Sequence, residues 1–529
     1  MKVFNTTAVC IPDKHYMVDL SERVKEIKKL VDAGKYFTIN RARQYGKTTT
    51  LNELALVLQN EYLVLNISFE GLTEGGAQTE GEFTQTISRL VMDQHEFYGV
   101  EIPDQIVDTL EEYNKREPDK LKLDELYRTF RRWIANINQQ VVLIIDEVDK
   151  VTNNQVFIDF LGLLRDGFIA RESRGIKTFQ CVILAGVTDV KHLQGMIRPE
   201  GEHKENSPWN IAADFTIDMS LSETGIDGML KDYEADHHTG MDTANIAKQI
   251  REYTNGYPFL VSRLCQLLDE EVSKKLPLTD AWTKTGLDEA VKLILQENNT
   301  LFQSLTKNLN NYPDLKMIIR GMLMEGTRIP YSPDQKEIAE LQMYGLIRND
   351  HNTVRVANRI FETRLYNLFI SEEDLQNNVF YKTGDLEKNR FVEDGKLNMR
   401  LILQRFIETY TEVIGPREER FKEKDGRELF LLYLKPIING TGNYYIESQT
   451  RDQTRTDVIV DYLGQQYIIE LKIWRGPRYN AEGEKQISEY LDYFGLTTGY
   501  MLSFNFNKNK KTGVELVHIG DKLLYEGTV

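Results

Sequence analysis

The chain has 529 residues, enough for two to four domains, and its 41% hydrophobic and 10% aromatic content lets each bury a core. A formal charge of −16 speaks against a dedicated basic coat for nucleic acid, although a cationic groove needs only a local patch. The three cysteines, Cys10, Cys181 and Cys265, lie far apart, which speaks against a disulfide scaffold or a metal-spaced pair.

At the start, Met1-Lys2-Val3-Phe4-Asn5 lacks the layout of a secretion signal. The longest strongly apolar run, Val141 to Ile145, is far short of a bilayer span. A cytoplasmic protein without membrane contact is expected. Tyr36-Phe37-Thr38-Ile39 predicts a strand, followed by a loop and a helix carrying Gly46, Lys47, Thr48 and Thr49. A nucleotide loop normally reads Gly-x-x-x-x-Gly-Lys-Ser/Thr. Its N–H groups cradle phosphate, its lysine bridges the outer phosphates and its hydroxyl ligates magnesium. Here Arg41 stands at the first glycine, and a half-matched loop is also compatible with an ordinary helix start.

Tyr62 to Phe69 predicts the next strand. Val141 to Ile145 then has the unbroken apolar pattern of a strand buried on both faces, and it ends in Asp146 and Glu147. Asp146 would hold magnesium through water, and Glu147 would polarise the water that attacks the γ-phosphate. Phe179 to Ala185 predicts a further strand, with Thr188 beyond it as a candidate sensor of that phosphate. Asp214 to Met219 would be the last strand. Strands alternating with helices predict a parallel three-layer sheet that binds its ligand at the carboxyl ends of the strands.

The run Asn40-Arg41-Ala42-Arg43-Gln44-Tyr45-Gly46-Lys47-Thr48, preceded by Lys14-His15-Tyr16-Met17-Val18-Asp19 and followed by Asn206-Ser207-Pro208-Trp209-Asn210, resembles a family of bacterial AAA-like ATPases. The resemblance covers roughly residues 1 to 230. The family's loop reads Arg-x-Arg-x-x-Gly-Lys-Ser/Thr, so Arg41 follows its pattern. It implies an AAA+-type fold, ATP and magnesium as cofactors, and Glu147 as catalytic glutamate. It also implies a homo-oligomer in which an arginine reaches a neighbour's nucleotide, with Arg198 and Arg174 as candidates.

From Ser222 to Glu271 the pattern is helical, broken by Thr254-Asn255-Gly256-Tyr257-Pro258, where Pro258 would open a new helix. This Gly-x-Pro resembles the nucleotide-sensing lid of signal-transducing ATPases with numerous domains; a plain helix junction fits as well. Residues 312–372 read as helices, then a short strand at Gly345-Leu346-Ile347, a polar turn at Asn349 to Asn352 and a second strand. That is a winged-helix pattern, able to read DNA but more often a packing element. Glu372 to Asn398, polar and mixed in charge, reads as a linker.

Near the end, Thr456-Asp457-Val458-Ile459-Val460 and Ile468-Ile469-Glu470-Leu471-Lys472 predict a hairpin turning at Leu463 to Gln466. Alternation puts Asp457, Ile459 and Asp461 on one face and Glu470 and Lys472 on one face of the other strand. Asp457, Glu470 and the Leu471 carbonyl could then gather round magnesium, with Lys472 beside developing charge. Gln486 and Tyr490 share a face of the following helix. Together these resemble the PD-(D/E)xK superfamily, particularly its RecB-like branch, and imply a nuclease site; Glu428 is a candidate early acid. Phe504 to Lys511 interleaves rings and cations and could stack single strands, or be a solvated loop.

The expected fold is α/β: a P-loop ATPase core at 1–221, a helical lid at 222–311, a winged-helix-like part at 312–371, the linker at 372–398 and a nuclease-like α/β domain at 399–529. The expected function is ATP binding and hydrolysis joined to magnesium-dependent cutting of nucleic acid, DNA favoured, in defence against foreign DNA or handling of damaged DNA. The alternative is a nucleotide-dependent switch whose nuclease-like part is a non-cleaving scaffold.

Overall fold

The computed structural model describes residues 2–529 apart from 73, 188–208, 326, 372–377, 394, 415–422, 439–441, 447–457, 463–464, 475 and 508–509. It divides into two compact units. Met1–His238, Gly256–Arg263 and Glu340–Gly345 form the first; Thr239–Asn255, Leu264–Ala339 and Leu346–Val529 form the second. Among the described residues no helix is long and apolar enough to cross a membrane.

In the first unit, two short parallel strands, β1 (Val3–Phe4) and β2 (His15–Tyr16), precede helix α1 (Ser21–Asp32). A four-stranded parallel sheet follows. It contains β3 (Phe37–Asn40), β4 (Leu63–Ser68), β5 (Val141–Asp146) and β6 (Cys181–Gly186), in the order β3-β6-β5-β4. Because side chains alternate along a strand, β4, β5 and β6 each feed two cores. Leu65, Ile67, Leu143, Ile145, Val182 and Leu184 join one, with the helices Glu80–Tyr98, Leu123–Asn136 and Gln155–Arg174. Phe37, Ile39, Val64, Val142, Ile144 and Ile183 join the other, with α1 and α2 (Lys47–Leu58). The result is an α/β fold with a parallel sheet between two layers of helices.

One expected strand is corrected. Asp214 to Met219 forms no ladder; only Ala213 bridges to Phe37. Arginine side chains take carbonyls there instead: Arg41 donates to Ile217 O at 2.9 Å and Arg23 to Ser220 O at 2.9 Å. A carbonyl satisfied by a guanidinium has no need of a neighbouring strand.

The second unit begins with helices, among them Thr243–Thr254, Lys284–Gln296 and Thr300–Asn311. A two-stranded ribbon follows, β7 (Ile347–Asp350) and β8 (Thr353–Val356), turning through His351 and Asn352 at φ 46° and 62°. The order of helix, strand, turn and strand is as expected, but the first strand begins at Ile347 rather than Gly345, and Asn349 and Asp350 are paired in it rather than in the turn. The described part of the expected linker is structured. It has a helix at Val379–Glu387 and a ribbon of β9 (Val392–Glu393) and β10 (Lys396–Leu397), with Phe380, Phe391 and Leu397 buried.

A six-stranded mixed sheet ends the chain: β11 (Gly442–Ile446), β12 (Val458–Tyr462), β13 (Gln465–Ile473), β14 (Thr498–Phe504), β15 (Gly513–Ile519) and β16 (Lys522–Thr528). Its order is β11-β12-β13-β14-β16-β15, with β13, β14 and β16 parallel. Gly499 meets Ile487 and Leu491 of the helix Pro477–Phe494, whereas Gly527 meets Ile407 of the helix Met399–Val413. Residues 499 and 527 point to opposite faces in this register, so helices cover both faces.

Candidate functional site

In the first unit, β3 runs through Arg41 to Tyr45 into α2, whose cap Gly46 sits at φ 77°, a left-handed position that glycine takes without steric cost. Lys47 opens the helix and is 5% exposed. Its ammonium donates to Arg41 O at 3.0 Å and Ala42 O at 3.1 Å, closing the loop on itself. Thr48 donates its hydroxyl to Asp146 Oδ2 at 2.6 Å. Asp146, at the carboxyl end of β5, also accepts from Glu147 N at 2.8 Å. Glu147 has left the strand conformation, at φ 55°.

Charge in this cluster is finely opposed. Burial pushes Lys47 below its ordinary value, against the pull of Glu147, Asp146 and Asp149. Burial raises the Glu147 carboxyl; Lys47 opposes that, while Asp146 and Asp149 add to it. Asp149 went unmarked in the sequence. Its carboxylate accepts from Val187 N at 2.6 Å, tying the turn after β5 to the end of β6.

The other loop contacts explain the departure from the usual motif. Arg41 donates to Asn40 O at 2.8 Å and Ile217 O at 2.9 Å, and lies 5.5 Å over the Phe215 ring. It therefore straps the loop to the neighbouring segment. Tyr257 donates to Arg43 O at 2.5 Å and packs edge-on to Tyr45, with Pro258 opening the next helix as expected. Gly345, at φ 70°, comes so close that a Cβ on it would be 2.6 Å from the Ala42 Cβ. Thr49 accepts from Cys10 N at 3.2 Å, so its hydroxyl is engaged by the N-terminal segment.

In the second unit, β12 and β13 pair antiparallel with Val458 opposite Ile469. Glu470 and Lys472 share a face of β13 and are 2% and 8% exposed, with Lys472 Nζ 3.3 Å from Glu470 Oε1. Leu471 lies between them and is paired with Leu502 of β14. Tyr490 is buried on the helix Pro477–Phe494; that helix includes Gln486, whose side chain lies outside the described residues. Asp457, Thr188 and Arg198 also lie outside them. Among the described residues no three acids, histidines or cysteines gather as a metal cluster. Glu428 is half-buried on the helix Glu423–Ile438, and Arg174 is exposed at the end of the helix Gln155–Arg174. Phe504, read as a stacking ring, is instead core: it packs against Tyr410 and beneath Gly426.

The AAA-like domain family matches residues 9–371. No curated protein matches the chain. Among solved structures it is similar to the Walker-type ATPase PABY2304 of Pyrococcus abyssi, at 15% identity and TM-score 0.46, covering 69% of this chain and 99% of that one. Cdc6p from Pyrobaculum aerophilum is similar at 12% identity and TM-score 0.35, over 69% and 96% of the two chains. The ORC1 protein of Aeropyrum pernix, solved in complex with DNA, is similar at 11% identity and TM-score 0.30, over 66% and 93%.

Proposed function

Since the chain belongs to the AAA-like domain family, we propose that it binds and hydrolyses ATP at Lys47, Thr48, Asp146 and Glu147, and that its C-terminal part is a magnesium-dependent nuclease acting on DNA. The observation that carries the first half is the Thr48 hydroxyl at 2.6 Å from the Asp146 carboxylate, at the foot of α2. Two hard oxygens so close, at a helix N-terminus, suit magnesium and a triphosphate together. Magnesium there would neutralise charge on the phosphates. Lys47 would exchange two loop carbonyls for phosphate oxygens, and Glu147, raised by burial, would accept a proton from the attacking water. Gly256-Tyr257-Pro258, seated on the loop, would feel the nucleotide, as would Thr188.

For the second half, support comes from Glu470 and Lys472 meeting on one buried face. Asp457, Glu470 and the Leu471 carbonyl would hold magnesium, which would polarise a phosphodiester, while Lys472 would meet charge built up on the phosphate. Gln486 and Tyr490 would face the same site. We take the ATPase core as 1–221, the lid as 222–311, the winged-helix-like part as 312–371, the connector as 372–398 and the nuclease-like domain as 399–529. A homo-oligomer and a role against foreign DNA complete the reading.

The test is incubation of the full chain with supercoiled and linear DNA, magnesium or manganese, with and without ATP. Cleavage that Glu470→Ala abolishes is the expected result. No cleavage under any condition would leave the nucleotide-dependent switch with a non-cleaving scaffold.

A further inference from the structure

The helix Pro477–Phe494 is fixed over the Glu470–Lys472 strand at three places. Gly499 of β14 lies beneath it, where a Cβ would come within 3.0 Å of both Ile487 and Leu491. In its second half, the buried Lys522 of β16 donates to Ser488 O at 2.9 Å and Ser488 Oγ at 3.0 Å, and pairs with Asp492 at 2.5 Å. In its first half, Gly483 lies against Lys472. A Cβ on Gly483 would stand 2.7 Å from Nζ and 3.0 Å from Cδ and Cε.

Glycine within a helix is disfavoured against alanine, so local propensity is given up here for space. The end of Lys472 occupies that space and reaches Glu470 from it.

We propose that Gly483 is a positioning residue of the C-terminal site. Lacking a side chain, it lets the helix cover Lys472 and keep the ammonium beside Glu470, while Lys522 sets the depth at which the helix lies. The inference rests on the nuclease reading for its chemical consequence: a charge misplaced by about 1 Å can cost about 10²-fold in rate.

Gly483→Ala in the full chain displaces only the far end of a flexible side chain, so the fold should persist. Three readouts decide the matter: thermal midpoint, acetylation of Lys472 by an amine-reactive ester mapped by peptide mass, and single-turnover DNA cleavage with magnesium. The expected result is an equal or higher midpoint, Lys472 acetylation raised roughly fivefold or more, and cleavage about 10²-fold slower at unchanged DNA affinity. A purely structural glycine would instead lower the midpoint together with the rate. Lys522→Met checks the same arrangement without adding an atom near Lys472, and should also unmask it. Lys472 protected as in wild type in both variants overturns the proposal, as does cleavage at the wild-type rate. Should the wild type cut no DNA while Lys472 is unmasked in the variants, the placement by Gly483 is supported and the nuclease reading falls.

Discussion

Lys47 in the first unit and Lys472 in the second are both buried beside acids, but different groups touch each ammonium. Lys47 donates to two neutral carbonyls of its own loop, and the nearby acid Asp146 is taken up by Thr48. Lys472 lies directly on the carboxylate of Glu470. A phosphate displaces neutral acceptors readily, because a charged acceptor makes the stronger hydrogen bond. A buried ion pair opens only when something replaces each charge. The Lys47 ammonium is thus held by groups that an anion could replace, whereas the Lys472 ammonium is held by a carboxylate.

The largest expected effect tests the acids of the first site. Glu147→Gln should slow ATP turnover by roughly 10²–10⁴-fold while ATP still binds. Since burial raises this carboxyl and a base must be ionised, wild-type turnover should fall with acid along a limb above the usual glutamate value of about 4.3. A pH profile of hydrolysis checks it; a limb at the ordinary value would take Glu147 out of the role.

Next comes the contrast between the lysines. Lys472→Met removes the ion-pair partner of the buried Glu470 and should destabilise the chain by about 3–5 kcal/mol, with Glu470→Gln in the same chain restoring most of it. Lys47→Met loses only bonds to carbonyls and should cost about 1–3 kcal/mol. Denaturant titration of the three variants measures both; equal losses would erase the distinction.

Asp288 gives a pH-dependent test within the second unit. Burial first, and then the charge of Asp461, push its carboxyl up to about 7 from 3.8; Tyr253, Lys284 and Lys292 act the other way. A carboxyl raised on folding contributes fully below its unfolded value, and that contribution is lost as pH rises through about 7. Asp288→Asn should therefore stabilise by on the order of 1–4 kcal/mol at pH 8 and give no gain at pH 4. Tyr253, which donates to Asp288 at 3.1 Å, keeps an acceptor in the variant.

The smallest effect opposes the usual motif. Arg41→Gly restores the glycine of the common loop, yet removes the strap to Ile217 and should cost about 0.5–1.5 kcal/mol. Thermal unfolding with and without ATP would show it, and a stabilised variant would argue against the strap.

The apolar run ending in Asp146 and Glu147 was legible because a strand buried on both faces leaves an unbroken β-branched signature. Gly46-Lys47-Thr48 and the Glu470–Lys472 face were legible from spacing and strand alternation. The failure at Asp214 to Met219 has a physical cause: alternation reports which face is buried, not what satisfies the carbonyls, and Arg41 and Arg23 did so. Phe504 misled for a related reason, since an aromatic beside lysines reads as exposed until a helix is found against it. Asp149 and Gly345 left no local pattern, because their roles depend on Val187 and Ala42, far away in sequence.

The measurement that bears most directly on the nucleotide site is equilibrium binding of ATP with magnesium to the full chain, wild type beside Lys47→Ala. Saturable binding by the wild type and its loss in the variant are predicted. Equal binding by the two chains, or none by the wild type, would contradict the account.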